Sequence, residues 1–302
     1  MKKIIIFGLK IILLTIIMFI GLAVSSALVG IQHASKSSSV SITPILIYSF
    51  INTLILTLFI VKSRLRGFKL VAANFTIFWG IQYFMTQIET LYFNYAVKMP
   101  VAEIAKVVAS GTINAIIFSL LAVLIMGKFK REVHSYYINT NVKVSVAKSL
   151  PNIVILSSIY VIIYFIFGYF VAWQFADLRY FYTGSTTIVN VFQHLSNQFN
   201  QDPILILFQL FRGFLWSALA ITIINSLGNI NWMTYITSGL LFSILITTPL
   251  IFTNPYMPAP VRLGHSIELL TSMLTFGVIS VLVFKNKLAV NTLSYNSEKY
   301  NS

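Results

Sequence analysis

The sequence predicts an all-α polytopic membrane bundle of eight spans, with both termini on the cytoplasmic side. Three observations carry this. First, the 302 residues are 57% apolar and only 9% charged, where a soluble domain holds about 25% charged residues. Mean hydropathy is +0.85. A chain this apolar cannot keep its surface from water by folding on itself, so lipid is part of its solvent. Second, apolar runs long enough to cross a hydrocarbon layer of about 30 Å occur eight times. They are continuous and not alternating, which is the pattern of helices and not of barrel strands. Third, Lys and Arg collect in alternate links between the runs.

The runs are residues 4–30, 42–62, 70–92, 101–127, 151–173, 203–225, 231–252 and 263–284. Lys2 and Lys3 precede the first. Lys62, Arg64, Arg66 and Lys69 lie between the second and third. Lys128, Lys130, Arg131, Lys143 and Lys148 lie between the fourth and fifth, and Lys285 and Lys287 follow the eighth. With every run crossing, all four clusters fall on one face, and Lys36, Lys98, Arg179 and Arg262 on the other. The crowded face is expected to be cytoplasmic, and the plasma membrane of a bacterium is the expected location. The first run also fits a signal peptide, with Ile11 to Val24 as its apolar core and Val24-Ser25-Ser26-Ala27 as a small-residue site. Gly21, Ala23, Ser25 and Ser26 otherwise permit close helix contact.

The chain divides into a first four-helix half (1–127), a basic linker (128–150), a second half (151–285) and a polar tail (286–302). The linker, with Tyr136, Tyr137, Asn139, Asn141 and Ser145, is expected to lie against anionic headgroups. Within the outer segment from Gln174 to Asp202, residues 186–199 form an amphipathic stretch. Ile188, Val191, Phe192, Leu195 and Phe199 share one face. Ser185 or Thr186 is the expected cap, Tyr180, Phe181 and Tyr182 are interface aromatics, and His194 is expected to be solvated. Pro249 is expected to kink the seventh span. A parallel repeat of four plus four spans is suggested by Lys-Met-Pro at 98–100 and Tyr-Met-Pro at 256–258. Each opens a helix that ends in lysine, 28 and 27 residues beyond its proline, and each helix begins with an ionisable pair: Glu103 with Lys106, and His265 with Glu268.

Polar residues inside hydrocarbon are expensive and point to function. Of seven acidic residues, Glu89, Glu103 and Glu268 fall toward the outer ends of spans. Gln82, Thr86 and Glu89 share a stripe on the third span. Gln209, Arg212 and Trp216 share one on the sixth, and His265, Glu268, Ser272 and Thr275 one on the eighth. Arg212 lies about 13 Å into its span, a placement costing about 2.5–3.5 kcal/mol on insertion scales. It stays protonated and needs company, for which Glu89 and Glu268 are the expected partners. A polar cavity in the outer half, lined by Arg212, Glu268, His265, Glu89, Gln82 and Gln209, is the resulting expectation. Its alternative is an ion-pair network that only fixes helix packing.

With no cysteine in the chain, disulfides and thiolate chemistry are excluded. His33, His134 and His194 sit in links, and an arginine beside His265 would repel a cation, so no metal is expected. The sequence has no G-x-S-x-G, H-E-x-x-H or phosphate-binding loop, and no cofactor is implied. The net charge of +14 is spread through short links and is not a nucleic-acid stripe. The leading expectation is a transporter or ligand-binding membrane protein for a small anionic or polar solute. Proton linkage through Glu89, Glu268 or His265 would be available. The alternatives are a membrane-embedded enzyme acting on a lipid or lipid-linked substrate, with Glu268 or His265 as acid or base, and a non-catalytic scaffold or accessory subunit. Membrane lipids are the expected partners, and oligomeric state is left open.

Overall fold

The computed structural model describes residues 2–31, 42–130, 144 and 149–300, with side chains through Lys285. Expectations resting on His33, Lys36, Arg131, Glu132, His134 and most of the linker lie outside the described residues. The described chain is helical, apart from turns and an isolated bridge between Asn254 and Met257.

The elements are α1 (Lys2–Leu28), α2 (Ile42–Lys62), α3 (Gly67–Trp79), a π-helical stretch (Gly80–Phe84), α4 (Met85–Tyr92), α5 (Asn94–Val97) and α6 (Val101–Ile125). They continue with α7 (Leu150–Phe170), a 3-10 turn (Ala172–Gln174), α8 (Ala176–Thr183), α9 (Val191–Gln201), α10 (Leu205–Leu227) and α11 (Trp232–Thr247). A second 3-10 turn (Thr248–Ile251) leads to α12 (Ala259–Tyr300). Among the described residues seven helices are long and apolar enough to cross a membrane, and the protein is a multi-pass helical membrane protein. The third expected span is instead divided into α3, the π stretch and α4.

Local chemistry sets the ends. Asn231 caps α11, accepting from the Thr234 amide at 3.1 Å, while the Thr234 hydroxyl faces the Asn231 amide at 3.4 Å. This is a reciprocal capping box. Gly228 ends α10 at φ 81°, a left-handed conformation that favours glycine. Pro249 ends α11 in the 3-10 turn instead of kinking a continuous helix. Its ring cannot continue the ladder of hydrogen bonds. The expected outer amphipathic helix begins later than Ser185 or Thr186. Asn190 is the cap, its side chain accepting from the Gln193 amide at 3.0 Å. The preceding residues instead form α8, a helix not anticipated. Helix α12 runs on through the stretch expected to be a tail.

Helix α1 lies against α2 and α6, and α3 against α6. In the same way α7 lies against α10 and α12, and α11 against α12. The two groups meet where α2 touches α11 and α10 touches α3. The basic links share one end. There the Arg64 amide donates to Ser226 O (2.9 Å), Gly67 N to Lys128 O (2.9 Å) and Lys128 Nζ to Ser63 O (2.9 Å). At the other end, Lys106 Nζ donates to Gly30 O and pairs with Glu103 at 2.7 Å.

Small residues bring the helices close. Ser25 and Ser26 meet Ser110 through their hydroxyls at 2.9 and 3.3 Å. A Cβ on Gly21 would lie 2.6 Å from Asn114 Oδ1, and one on Gly277 2.6 Å from the Gly239 Cα. The latter contact is backbone on backbone, so no side chain can swing aside. Gly277→Val is expected to part α11 from α12 and destabilise the protein by about 1–3 kcal/mol, the usual range for overpacking. Thermal unfolding in detergent measures it; Gly8→Val, with open space around the glycine, should be silent.

Candidate functional site

A cavity of about 2060 Å³ occupies the end of the bundle opposite the basic links. Ordinary small-molecule pockets hold about 300–1,000 Å³. Its wall is drawn from the same end of α1, α2, α4, α6, α7, α10 and α12, with α8, α9 and the 249–257 loop around the mouth. Gln82, Glu89, Arg212, His265 and Glu268 all line it, and Gln209 stands directly behind Arg212.

Arg212 is 1% exposed and holds Glu89 in a two-pronged ion pair. Nη1 donates to Oε1 at 2.9 Å and Nη2 to Oε2 at 2.7 Å. Nη1 also donates to Gln209 Oε1 at 3.1 Å, and the Tyr160 hydroxyl donates to the same oxygen at 3.4 Å. The rings of Tyr160 and Phe208 lie 5.8 Å from the guanidinium carbon. A planar fork matched to one carboxylate is the strongest pairing available to arginine. Glu89, with 28% of its side chain exposed, is the side of the pair that the cavity reaches. Gln209 Nε2 and Arg212 Nε are buried without a hydrogen-bond partner among the described residues.

Glu268 was expected to share Arg212, and it does not. The Glu89 carboxylate takes both terminal nitrogens. Glu268 instead keeps to its own helix: its Oε2 lies 3.7 Å from His265 Nδ1, too long for a hydrogen bond, and its Oε1 accepts from the Ser272 hydroxyl at 3.3 Å. His265 Nε2 meets the Tyr182 hydroxyl at 3.0 Å.

Gln82 belongs to a third cluster. Its Nε2 donates to the Tyr48 hydroxyl at 2.6 Å, Tyr48 meets Tyr83 at 2.8 Å, and Asn114 donates to Tyr83 at 3.4 Å. Gln82 and Glu89 therefore address different helices although seven residues separate them. The π stretch explains this. One extra residue in a turn rotates all that follows by about 100°, the angular step of one helical residue.

His194, expected to be solvated, is 7% exposed, with the rings of Trp173 and Tyr169 at 4.7 and 5.2 Å. Phe192, on the expected apolar face, is 81% exposed. The tyrosines at 48, 160 and 182 and the Tyr92 hydroxyl on Asp202 (2.7 Å) were not anticipated as site residues. Polar side chains such as Asn52 and Asn114 inside apolar runs were the available signal. Among the described residues no three His, Asp or Glu side chains are grouped to hold a metal ion. No family model matches the chain, and neither curated proteins nor solved structures give a match.

Two outcomes follow. Glu89→Leu leaves a buried arginine unpaired and is expected to cost about 3–5 kcal/mol, whereas Glu89→Leu with Arg212→Leu is expected to cost less than the single change. Melting temperatures in detergent of the two variants decide this. Burial holds His194 below the usual histidine value. Its neutral form is thus favoured by folding. As pH falls below about 6.5, the unfolded segment takes the proton first and stability declines. Amide protection factors in α9, taken relative to the intrinsic exchange rate at each pH, should be smaller at low than at neutral pH, and His194→Gln should flatten the difference.

Proposed function

We propose that the chain is a carrier of eight crossings whose cavity opens away from the cytoplasm and takes a solute bearing an acidic group, in step with a proton. The observation that supports it is the Arg212–Glu89 pair, buried on the arginine side and open to a large cavity on the carboxylate side. As it stands the pair is self-neutralised, and Arg212 offers no free anion site. A proton on Glu89 removes the competing charge, and an incoming carboxylate or phosphate then takes over the guanidinium fork. Proton and anion thus occupy the site together or not at all.

The basic links at the closed end orient that end toward the cytoplasm, with a bacterial plasma membrane as the setting. The pseudo-equivalent packing of α1–α6 and α7–α12 supports a parallel repeat of four spans, with α3, the π stretch and α4 forming one crossing. Repeats of this kind rock about a site at their interface, and Arg212–Glu89 ties one half to the other.

The experiment is a thermal-shift screen of small carboxylates and phosphates against wild type, Glu89→Gln and Arg212→Gln. A ligand at a hundred times its Kd stabilises by about 2.7 kcal/mol. An anion that raises the melting temperature of Glu89→Gln and leaves Arg212→Gln unmoved is the expected result. The same compound, labelled, should exchange across liposomes faster when the cavity side is acidic. No difference between the variants would overturn the anion site; binding without exchange would overturn the carrier.

A further inference from the structure

Serine and threonine inside helices commonly return a hydrogen bond to the carbonyl one turn back. Thr15, Thr86, Thr112, Ser157 and Ser217 do so here. Ser49, Thr53 and Thr57 on α2 do not. They stand at i, i+4 and i+8, at 0%, 0% and 1% exposure, and none of their hydroxyls has a hydrogen-bond partner among the described residues. Beside them Asn52, also 0% exposed, accepts from the Thr248 hydroxyl at 3.0 Å but leaves its own Nδ2 unpartnered. On α11 the buried Thr237 hydroxyl is likewise unpartnered. In hydrocarbon an orphaned polar atom is costly. Four on one buried face of α2 call for a polar occupant, and water is the simplest.

Their position says what the occupant is for. Tyr48 lines the cavity, and Thr248 lies between the lining residues Ile246 and Pro249. The column thus starts at the cavity floor. Thr57 lies about 13 Å farther along α2, and Lys62 about 8 Å beyond it, at about 1.5 Å per residue. The Asn52–Thr248 bond joins α2 to the turn after α11, across the boundary between the two helix groups. At the basic end the column meets a closure, where the Ser63 hydroxyl and the Arg64 amide both donate to Ser226 O, at 3.0 and 2.9 Å.

Building on the carrier reading, we propose that the buried face of α2 that carries Ser49, Asn52, Thr53 and Thr57 is the hydrated route from the cavity to the basic face, shut in this conformation around Ser63. These side chains carry hydroxyls and an amide but no charge. They suit a hydrogen-bonding solute of no net charge, such as an acid travelling with its proton, and would leave a bare ion uncompensated.

The absence of cysteine makes the test direct. Ser49→Cys, Thr53→Cys and Thr57→Cys are placed singly in the full chain in sealed vesicles of either orientation and exposed to a hydrophilic, membrane-impermeant methanethiosulfonate. Ala220→Cys on α10 (0% exposed) serves as the dry-core reference and Leu54→Cys (42% exposed) as the lipid-facing one. The three stripe positions are expected to react about tenfold or more faster than both references, since thiol reactivity follows access to water. Ser49→Cys should be reached from the cavity side, and Thr57→Cys from the basic side as well. Rates equal to Ala220→Cys would mean dry packing, and access to Thr57→Cys from the cavity side alone would mean a blind pocket; either overturns the route. Labelling as expected with no anion response at Arg212 would defeat the acidic-solute reading and leave the route standing.

Discussion

A guanidinium buried where water does not reach must be answered by a carboxylate, and much of the cavity end is arranged around that demand. Arg212 sits on α10 and Glu89 on α4, helices from opposite halves of the chain. Their union fixes the rotation of both about their axes. Gln209 accepts from Arg212 Nη1 and is itself held by the Tyr160 hydroxyl, and the rings of Tyr160 and Phe208 flank the cation. Taken alone, a pair like this could be no more than a fastener, since buried ion pairs are often no better for stability than well-packed apolar groups. The cavity beside Glu89 distinguishes it, because one partner can be reached without unfolding anything.

The two ends of the bundle are built on different principles. The basic end is closed by main-chain groups: the links after α2, α6 and α10 satisfy one another's carbonyls and amides directly. The cavity end leaves tyrosines, carboxylates and a histidine facing open space, with short helices α8 and α9 packed at its rim through Leu178, His194 and the Trp173 ring. Between the ends, α2 holds buried polar atoms without a hydrogen-bond partner among the described residues.

Much of the architecture could be read from residues alone. The second apolar run is 42–62 and α2 is Ile42–Lys62; the other runs lie within a few residues of their helices, except that the third is divided into α3, the π stretch and α4 and that α12 continues well past residue 284. Glu89 was one of two candidates for Arg212, and His265 was set beside Glu268 by an i,i+3 spacing that the helix preserves. What failed is instructive. Glu268 and Arg212 do not meet, His194 is buried among aromatics, and Pro249 ends a helix it was expected to bend. Each depends on which way a neighbouring element turns.

Hydropathy and charge accumulate along a chain, so the sequence by itself determined that this is a membrane bundle, where its spans fall, and that one arginine in hydrocarbon needs an acid. The choice of acid belonged to the tertiary structure. A π turn at Gly80–Phe84 rotates α4 relative to α3, directing Gln82 to Tyr48 and Glu89 to Arg212, and the position of α8 gives His265 to Tyr182. Rotation of one helix against another is set by packing across the bundle, and no local pattern of residue types encodes it.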